Sequence, residues 1–206
     1  MTLTSARIHL ASRSPRRGEL LRQIGIAFEV LALRVAAPRG PDVDETPVHG
    51  EPADRYVLRL AREKALAGAR AVARRRLSPM PVLAADTTVT LGSRILGKPA
   101  DAAEAFDMLH SLSGTAHCVL TGLAVCHGED METALSESVV QFGELDDDDL
   151  RRYVDSGEPF DKAGAYGIQG LAGAFVRNLS GSYSGVMGLP LYETAQLLRK
   201  FGCRVP

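Results

Sequence analysis

The sequence predicts an α/β fold, because short runs of strand character alternate along the chain with longer runs of helical periodicity. The four apolar residues 82–85 are few enough for a buried strand. Between residues 53 and 76, apolar and small side chains recur at intervals of three and four, which indicates an amphipathic helix. The runs 116–126 and 131–142 are strand-like and are joined by a short polar segment, which is typical of a hairpin.

The composition is that of a globular protein without a strong electrostatic bias. The chain has 206 residues, enough for one domain or two tightly joined lobes. The formal net charge of −1 gives no bulk field to attract nucleic acid. We expect no membrane attachment either, since no apolar run reaches a spanning length and the N-terminus lacks a secretory signal.

The cysteines and histidines argue against a disulfide framework and a zinc site. Three cysteines are odd in number and lack metal-ligand spacing, so we expect reduced thiols in a cytoplasmic protein. The five histidines form neither HxxxH nor HExxH. A zinc site built on histidine is therefore not predicted.

The beginning of the chain has the layout of an anion-binding turn. The strand-like residues 8–11 are followed by a serine-rich turn, in which Ser14 is a good N-cap and Pro15 suits the first helical position. Backbone N–H groups and the helix dipole would point at this turn, beside Arg16 and Arg17. The alternative is a capped helix with two solvated arginines.

The stretch 81–99 places a carboxylate at the end of a buried strand and brings back a lysine. Asp86 follows the apolar run, Gly92-Ser93 is typical of a hairpin turn, and Lys98 follows the return strand. A carboxylate beside an apolar run is costly unless it is paired or bound to a cation. The alternative is that Asp86 caps a turn and Lys98 is solvated.

Two further segments carry charges with open roles. Residues 34–51 lack periodicity, and a loop this long is often functional. It contains Glu45, and also Asp42, for which a solvated position is the favoured interpretation. Lys64 lies on the small, apolar face of the predicted helix, where it can snorkel to solvent or reach an anion.

The second half of the chain contains an acidic run and two glycine-rich loops. Four consecutive acids, 146–149, suit a helix start, where the dipole favours them, better than a metal site. The glycines of 164–170 and 181–185 would let backbone approach a ligand closely. Neither loop is a GxGxxG after a strand or a Walker loop, so the usual dinucleotide and P-loop interpretations fail.

Together these segments resemble the Maf family of nucleotide pyrophosphatases. The matching motifs are L-A-S-R-S-P-R-R-G-E-L-L (10–21), D-V-D-E-T-P (42–47), Y-V-L-R-L-A-R-E-K-A (56–65), A-A-D-T-T-V (84–89), I-L-G-K-P (95–99), L-S-G-T-A-H-C-V-L-T-G (112–122), D-K-A-G-A-Y-G-I-Q-G (161–170) and G-L-P-L-Y-E-T (188–194). The match runs nearly from end to end and in family order. One departure is extra loop length at Arg34 to Pro41, which leaves the pose of Glu45 open.

The resemblance implies a fold and an activity. The fold would be a two-lobed Maf-like α/β structure around a mixed β-sheet, similar to inosine-triphosphate pyrophosphatases, with a cleft between the lobes. Residues 1–206 would form a single domain without a separable linker. The activity would be hydrolysis of a small-molecule nucleoside triphosphate to the monophosphate and pyrophosphate, with a divalent metal cation, Mg²⁺ or Mn²⁺. A homodimer is compatible with the sequence but not required by it.

The resemblance also implies roles for particular residues. Asp86 would be the general base and, with Glu45, a ligand of the metal or its water. The residues that match phosphate-binding positions are Ser12, Arg16, Arg17, Lys64 and Lys98. Arg16, Thr87 and Gln169 match the subgroup that acts on dTTP and UTP, whereas a related subgroup acting on 7-methyl-GTP carries other residue types there. The alternative for Gln169 is that it caps a loop and selects nothing.

Two other functions stay open at this point. One is a nucleotide-binding regulator of cell division and septum formation, which would not need Asp86. The other is a pyrophosphatase for modified nucleotides other than dTTP and UTP. The effect of removing the Asp86 carboxylate would distinguish the regulator from an enzyme. A panel of triphosphates would distinguish a pyrophosphatase for other modified nucleotides from one for dTTP and UTP.

Overall fold

The structure is a computed structural model that describes residues 7–34 and 40–205. The strands in these ranges are β1 Arg7–Leu10, β2 Ala27–Val30, β3 Val82–Leu91, β4 Arg94–Leu96, β5 Ala116–His127, β6 Asp130–Phe142 and β7 Val176–Ser180. The helices are α1 Pro15–Gln23, α2 Ala53–Arg75, α3 Ala102–Leu112, α4 Asp147–Asp155, α5 Tyr183–Val186 and α6 Leu191–Lys200. Most of the predicted extra loop length, 35–39, lies outside the described residues.

The seven described strands form one mixed sheet. Its hydrogen-bonded order is β2-β1-β3-β5-β6-β7, and β4 pairs with β3 outside this path. β1 is parallel to both β2 and β3, while β4 is antiparallel to β3 and β7 is antiparallel to β6. The predicted α/β class with a mixed sheet is confirmed.

The chain divides into two compact units. The first takes the described parts of Met1–Asp86, Thr121–Leu135 and Gly188–Pro206, and the second takes Thr87–Leu120 and Ser136–Met187. The prediction of a single domain with two lobes and a cleft stays a prediction.

In the first unit, small residues let helix α2 lie very close to the sheet. A Cβ on Gly68 of α2 would lie 2.7 Å from Cγ1 of Val82 in β3. A Cβ on Gly122 of β5 would lie 2.5 Å from the carbonyl oxygen of Val57 in α2. Since both distances are far below van der Waals contact, glycine is needed for space. The close approach brings Lys64, one turn before Gly68, within reach of β3.

In the second unit, aromatic rings fill the space between the sheet and the glycine-rich segment. The ring of Phe142 in β6 lies edge-on to His117 of β5 and to Tyr166, with centroid distances of 4.9 and 4.8 Å. His117 and Tyr166 are also joined by a buried hydrogen bond of 2.8 Å between Nε2 and the phenol oxygen. These contacts attach the glycine-rich segment to the core through Tyr166.

The predicted helix start at the acidic run is confirmed, and an aspartate caps the preceding helix in the same way. Asp101 caps α3 by accepting from the Glu104 N–H at 2.9 Å, and Asp146 caps α4 by accepting from the Asp149 N–H at 2.7 Å. The acids after Asp146 occupy the first turn of α4. The dipole interpretation of the acidic run is therefore correct for this segment.

Among the described residues, three details of secondary structure differ from the sequence-based expectations. Asp86 does not end its strand, because the hydrogen-bonded ladder of β3 continues through it to Leu91. Ser14 occupies the N-cap position of α1, but its side chain makes no capping hydrogen bond. The strand β7 was not predicted, since its residues V-R-N-L-S alternate only weakly and become a strand by pairing with β6.

Candidate active site

Asp86 is a buried carboxylate paired with a lysine. It is the fifth residue of the ten in β3, is 8% exposed, and accepts a hydrogen bond from Lys64 Nζ at 2.6 Å through Oδ1. Burial raises the pKa of Asp86 above its ordinary value, the positive charges of Lys64 and Arg17 oppose that rise, and the negative charge of Glu45 adds to it. The predicted need of this carboxylate for a cationic partner is met by Lys64.

Lys64 also contacts Glu45, so one ammonium group bridges two carboxylates. Its Nζ lies 2.7 Å from Glu45 Oε1, and the side chain of Glu45 is 49% exposed whereas that of Lys64 is 14% exposed. Within residues 7–34 and 40–205, no group of three or more His, Cys, Asp or Glu side chains is placed to hold a metal ion. Two carboxylates that converge on one cation nevertheless fit Mg²⁺ or Mn²⁺, which take oxygen ligands and often use one or two carboxylates together with phosphate oxygens.

Two residues of α2 that sequence reasoning missed hold the loop around Glu45. The Tyr56 hydroxyl donates to the carbonyl oxygen of Glu45 at 2.9 Å. Arg59 donates to the carbonyl oxygen of Thr46 at 3.2 Å and to both carboxylate oxygens of Glu51 at 2.7 Å each. Tyr56 and Arg59 are three residues apart and therefore share a helix face, a spacing within the Y-V-L-R motif that could have indicated a joint role.

The turn before α1 joins a buried serine to an arginine. Ser12 Oγ accepts hydrogen bonds from the Ser14 N–H at 3.1 Å and from Arg17 Nη1 at 3.2 Å. Arg17 Nε donates to the carbonyl oxygen of Gly188 at 2.7 Å, so the guanidinium is held by two segments of the chain. Ser14 thus contributes its backbone N–H to the turn, while the side chain of Ser12 binds it.

The electrostatics of Arg17 connect this turn to the carboxylates. Burial lowers the pKa of Arg17, the charges of Asp86 and Glu45 raise it, and the charge of Arg16 lowers it. The first unit therefore brings together Ser12, Arg17, Lys64, Glu45 and Asp86, with Arg16 beside Arg17 on α1.

Thr87, Lys98 and Gln169 belong to the second unit. Thr87 is half-buried in β3, whereas Lys98 and Gln169 are exposed. The carbonyl oxygen of Gly97 accepts a hydrogen bond from the Gly164 N–H at 3.0 Å. This bond joins the segment that carries Lys98 to the start of the glycine-rich segment that carries Gln169.

The acidic loop is paired with a nearby arginine. Asp42 is not solvated as expected, because its carboxylate accepts hydrogen bonds from the backbone N–H of Arg34 at 2.7 Å and from Arg34 Nε at 3.0 Å.

Cys118, Cys126 and Cys203 are free thiols. Across the described ranges, none of the helices combines the length and the apolar character needed to cross a bilayer.

The mixed α/β sheet and the motif-bearing site belong to a known protein class. The chain is a member of the Maf family: the family model described as Maf-like protein matches residues 7–201. The predicted resemblance is confirmed.

Proteins named dTTP/UTP pyrophosphatase are similar over nearly the whole chain. The protein of Aromatoleum aromaticum is 58% identical over 199 residues, covering 96% of both chains. That of Dechloromonas aromatica is 53% identical over 198 residues, covering 96% of this chain and 98% of the relative. That of Nitrosospira multiformis is 52% identical over 205 residues, covering 100% and 99%. Among solved structures, the Ham1 protein of Staphylococcus aureus aligns with a TM-score of 0.40 and 14% identity, covering 66% of this chain and 71% of that one, a likeness too weak to carry an argument.

Proposed function

We propose that this protein is a nucleoside triphosphate pyrophosphatase that hydrolyses dTTP and UTP, together with modified pyrimidine triphosphates, to the monophosphate and pyrophosphate. The observation that carries the proposal is the buried Asp86 carboxylate held against Lys64, beside the cationic turn of Ser12 and Arg17. The names of relatives at 52–58% identity support the choice of substrate. Removal of such nucleotides from the pool would be a house-cleaning role.

Asp86 is the proposed general base. A water molecule attacks the α-phosphorus, its proton passes to Asp86, and the bond between the α-phosphorus and the bridging oxygen breaks to release pyrophosphate. Since burial raises the pKa of Asp86, the carboxylate accepts a proton more readily than an exposed aspartate does. No covalent enzyme intermediate is needed for this displacement.

The cations of the site are proposed to bind the triphosphate. Ser12, Arg16, Arg17, Lys64 and Lys98 are the phosphate-binding residues of the proposal. Arg17 is held by Ser12 and Gly188, so its guanidinium is oriented before the substrate arrives. Oriented cations stabilise the charge that develops on the pyrophosphate leaving group.

Glu45 and Asp86 would hold the divalent metal, Mg²⁺ or Mn²⁺. When bound, such an ion lowers the pKa of a coordinated water and neutralises phosphate charge. Lys64 would then exchange part of its contact with these carboxylates for contact with phosphate. Tyr56 and Arg59 keep the backbone around Glu45 in place during this exchange.

Arg16, Thr87 and Gln169 are proposed to choose the base. A pyrimidine such as uracil presents an N3–H donor flanked by carbonyl acceptors, and the Gln169 amide offers an acceptor and a donor to match.

The nucleotide substrate is the proposed small-molecule partner of the protein. We place the enzyme in the cytoplasm, a location with which three free thiols agree, and the homodimer stays a prediction.

The test is a panel of unmodified and modified triphosphates with Mg²⁺ or Mn²⁺, in which pyrophosphate and phosphate release are measured separately. We expect pyrophosphate from dTTP and UTP, and loss of turnover by roughly 10²-fold or more in Asp86→Asn. Glu132→Gln is the matched control, since Glu132 is also paired with a lysine, Lys200, at 2.8 Å. Near-normal turnover in Asp86→Asn would contradict the assignment of the base and favour a binding role.

A further inference from the structure

A hydrogen-bonded bridge spans the segment that carries Gln169. The Tyr153 hydroxyl donates to Glu158 Oε1 at 2.9 Å and accepts from the Gly167 N–H at 3.2 Å. Glu158 Oε2 accepts from the Leu171 N–H at 3.0 Å. The bridge therefore binds the backbone two residues before Gln169 and two residues after it.

The Glu158 carboxylate also packs directly against the segment. A Cβ on Gly170 would lie between 2.2 and 2.4 Å from the Glu158 carboxyl atoms. Gly170 has an ordinary negative φ of −98°, so glycine is required there for space and not for conformation. The backbone at Gly170, next to Gln169, is thus in contact with the Glu158 carboxylate, which also binds the Leu171 N–H.

The bridge and the segment it binds are each attached to the core of the second unit. Tyr153 is 3% exposed on α4, and its ring lies edge-on to Phe175 with centroids 5.2 Å apart. On the other side, Tyr166 is held by its hydrogen bond to His117. Gln169 itself is exposed, so its side chain is presented to solvent by a backbone that is held on both sides.

We propose that Glu158 and Tyr153 are positioning residues that determine base selectivity by holding the backbone of Gln169. The inference rests on the proposed role of Gln169 in choosing dTTP and UTP. Hydrogen-bond selection of a base requires the amide to be held in place before binding, since a loose segment must be ordered at the expense of affinity. Loss of the bridge should therefore raise KM for pyrimidine triphosphates, with kcat and the activity towards purine triphosphates little changed.

The test compares Glu158→Ala, Glu158→Gln and Tyr153→Phe. Glu158→Ala removes both acceptors, whereas Gln keeps an oxygen for the Leu171 N–H and an amide group for the Tyr153 oxygen, and should rescue selectivity. We expect the ratio of kcat/KM for dTTP to that for dATP to fall about tenfold in Glu158→Ala and Tyr153→Phe. Glu104→Ala is the matched control, because Glu104 likewise accepts from a backbone N–H, that of Ala100 at 2.7 Å, in a different segment.

Amide hydrogen exchange of residues 166–171 supplies a readout independent of activity. In Glu158→Ala and Tyr153→Phe, exchange of these amides should be about tenfold faster than in the wild type and in Glu104→Ala. An unchanged selectivity ratio in Glu158→Ala, with faster exchange, would overturn the inference provided that Gln169→Ala lowers the ratio. If Gln169→Ala also leaves the ratio unchanged, the proposed role of Gln169 is the part that fails. Unchanged exchange in both bridge variants would likewise overturn the positioning role, and if Glu158→Ala does not fold, Tyr153→Phe decides.

Discussion

Lys64 pairs with both carboxylates of the proposed site, Asp86 and Glu45. Its Nζ lies 2.6 Å from Asp86 and 2.7 Å from Glu45, so without it two carboxylates would face each other with one fewer cation between them. The side chains of Lys64 and Asp86 are largely removed from solvent, so the attraction between their charges is weakly screened. A neutral side chain at this position should therefore affect both the carboxylates and the bound phosphates.

We predict that Lys64→Met lowers kcat/KM for UTP by about 10- to 100-fold. The loss corresponds to a charge-assisted hydrogen bond of about 1.5–3 kcal/mol. Steady-state kinetics at saturating metal measure it, with Lys200→Met as the control, because Lys200 pairs with Glu132 at a more exposed position. Equal kinetics for the two variants would rule out a role of Lys64 in the site.

Gln169 is exposed, and its expected contribution is selective and not structural. We predict that Gln169→Glu lowers the preference for dTTP and UTP over dATP and GTP. An ionised Glu is an acceptor only, so it cannot donate to a base carbonyl. The ratio of specificity constants measures this effect, and a penalty of about 1–3 kcal/mol per unpaired group sets its scale. A flat activity across bases in the wild type would favour the loop-capping alternative.

At the scale of elements, helix α2 organises the proposed site. One face packs against the sheet through Gly68 and Val57 and carries Lys64 to the carboxylates. The adjacent face presents Tyr56 and Arg59 to the loop. The loop 40–51 lacks helix and strand, so the contacts from α2 supply the anchoring that backbone pairing supplies elsewhere. The position of Glu45 should therefore depend on side chains that do not touch the substrate.

We predict that Arg59→Lys lowers kcat/KM by about tenfold and raises the metal concentration for half-maximal activity. Lysine keeps the charge but cannot bind both oxygens of Glu51 and the carbonyl oxygen of Thr46 in the same planar arrangement. A metal titration of activity measures the change. The control is Arg7→Lys, since Arg7 makes one exposed contact of 3.1 Å with Glu29. The prediction fails if both variants titrate like the wild type.

At the scale of the whole molecule, His117 makes stability depend on pH. It is 2% exposed, and burial lowers the pKa of His117 from 6.5 to about 4. Between these values the unfolded chain binds a proton that the folded protein excludes, so stability is complete above pH 6.5 and is lost as the pH falls towards 4. The interval corresponds to about 3 kcal/mol of unfolding free energy.

We predict that His117→Gln makes the unfolding free energy less sensitive to pH between 6.5 and 4. Glutamine can keep a hydrogen bond to the Tyr166 hydroxyl but does not titrate. Denaturant unfolding at several pH values should give a slope that is smaller than in the wild type by up to about 1.4 kcal/mol per pH unit. His127→Gln controls for removing an exposed histidine from the same strand. Identical slopes for His117→Gln and the wild type would contradict the prediction.

The sequence alone determined the local elements and the class of protein. Apolar periodicity located helix α2, a glycine turn located the end of β3, and the acidic run located the start of α4. The motifs in order identified the family. These signals are local, because the period of apolar residues and the preferences of turns and caps are set within a few neighbouring residues.

Only the tertiary structure decided which side chains meet. Asp86 continues β3 because neighbouring strands complete its ladder, and Tyr56 with Arg59 and Tyr153 with Glu158 bind loops whose own sequences carry no periodic signal. Its place on a helix left Lys64 either solvated or bound to an anion, and the close packing at Gly68 decides for the second by bringing it to the Asp86 carboxylate. Such pairings join residues far apart in the chain, so they follow from packing distances that no local pattern encodes.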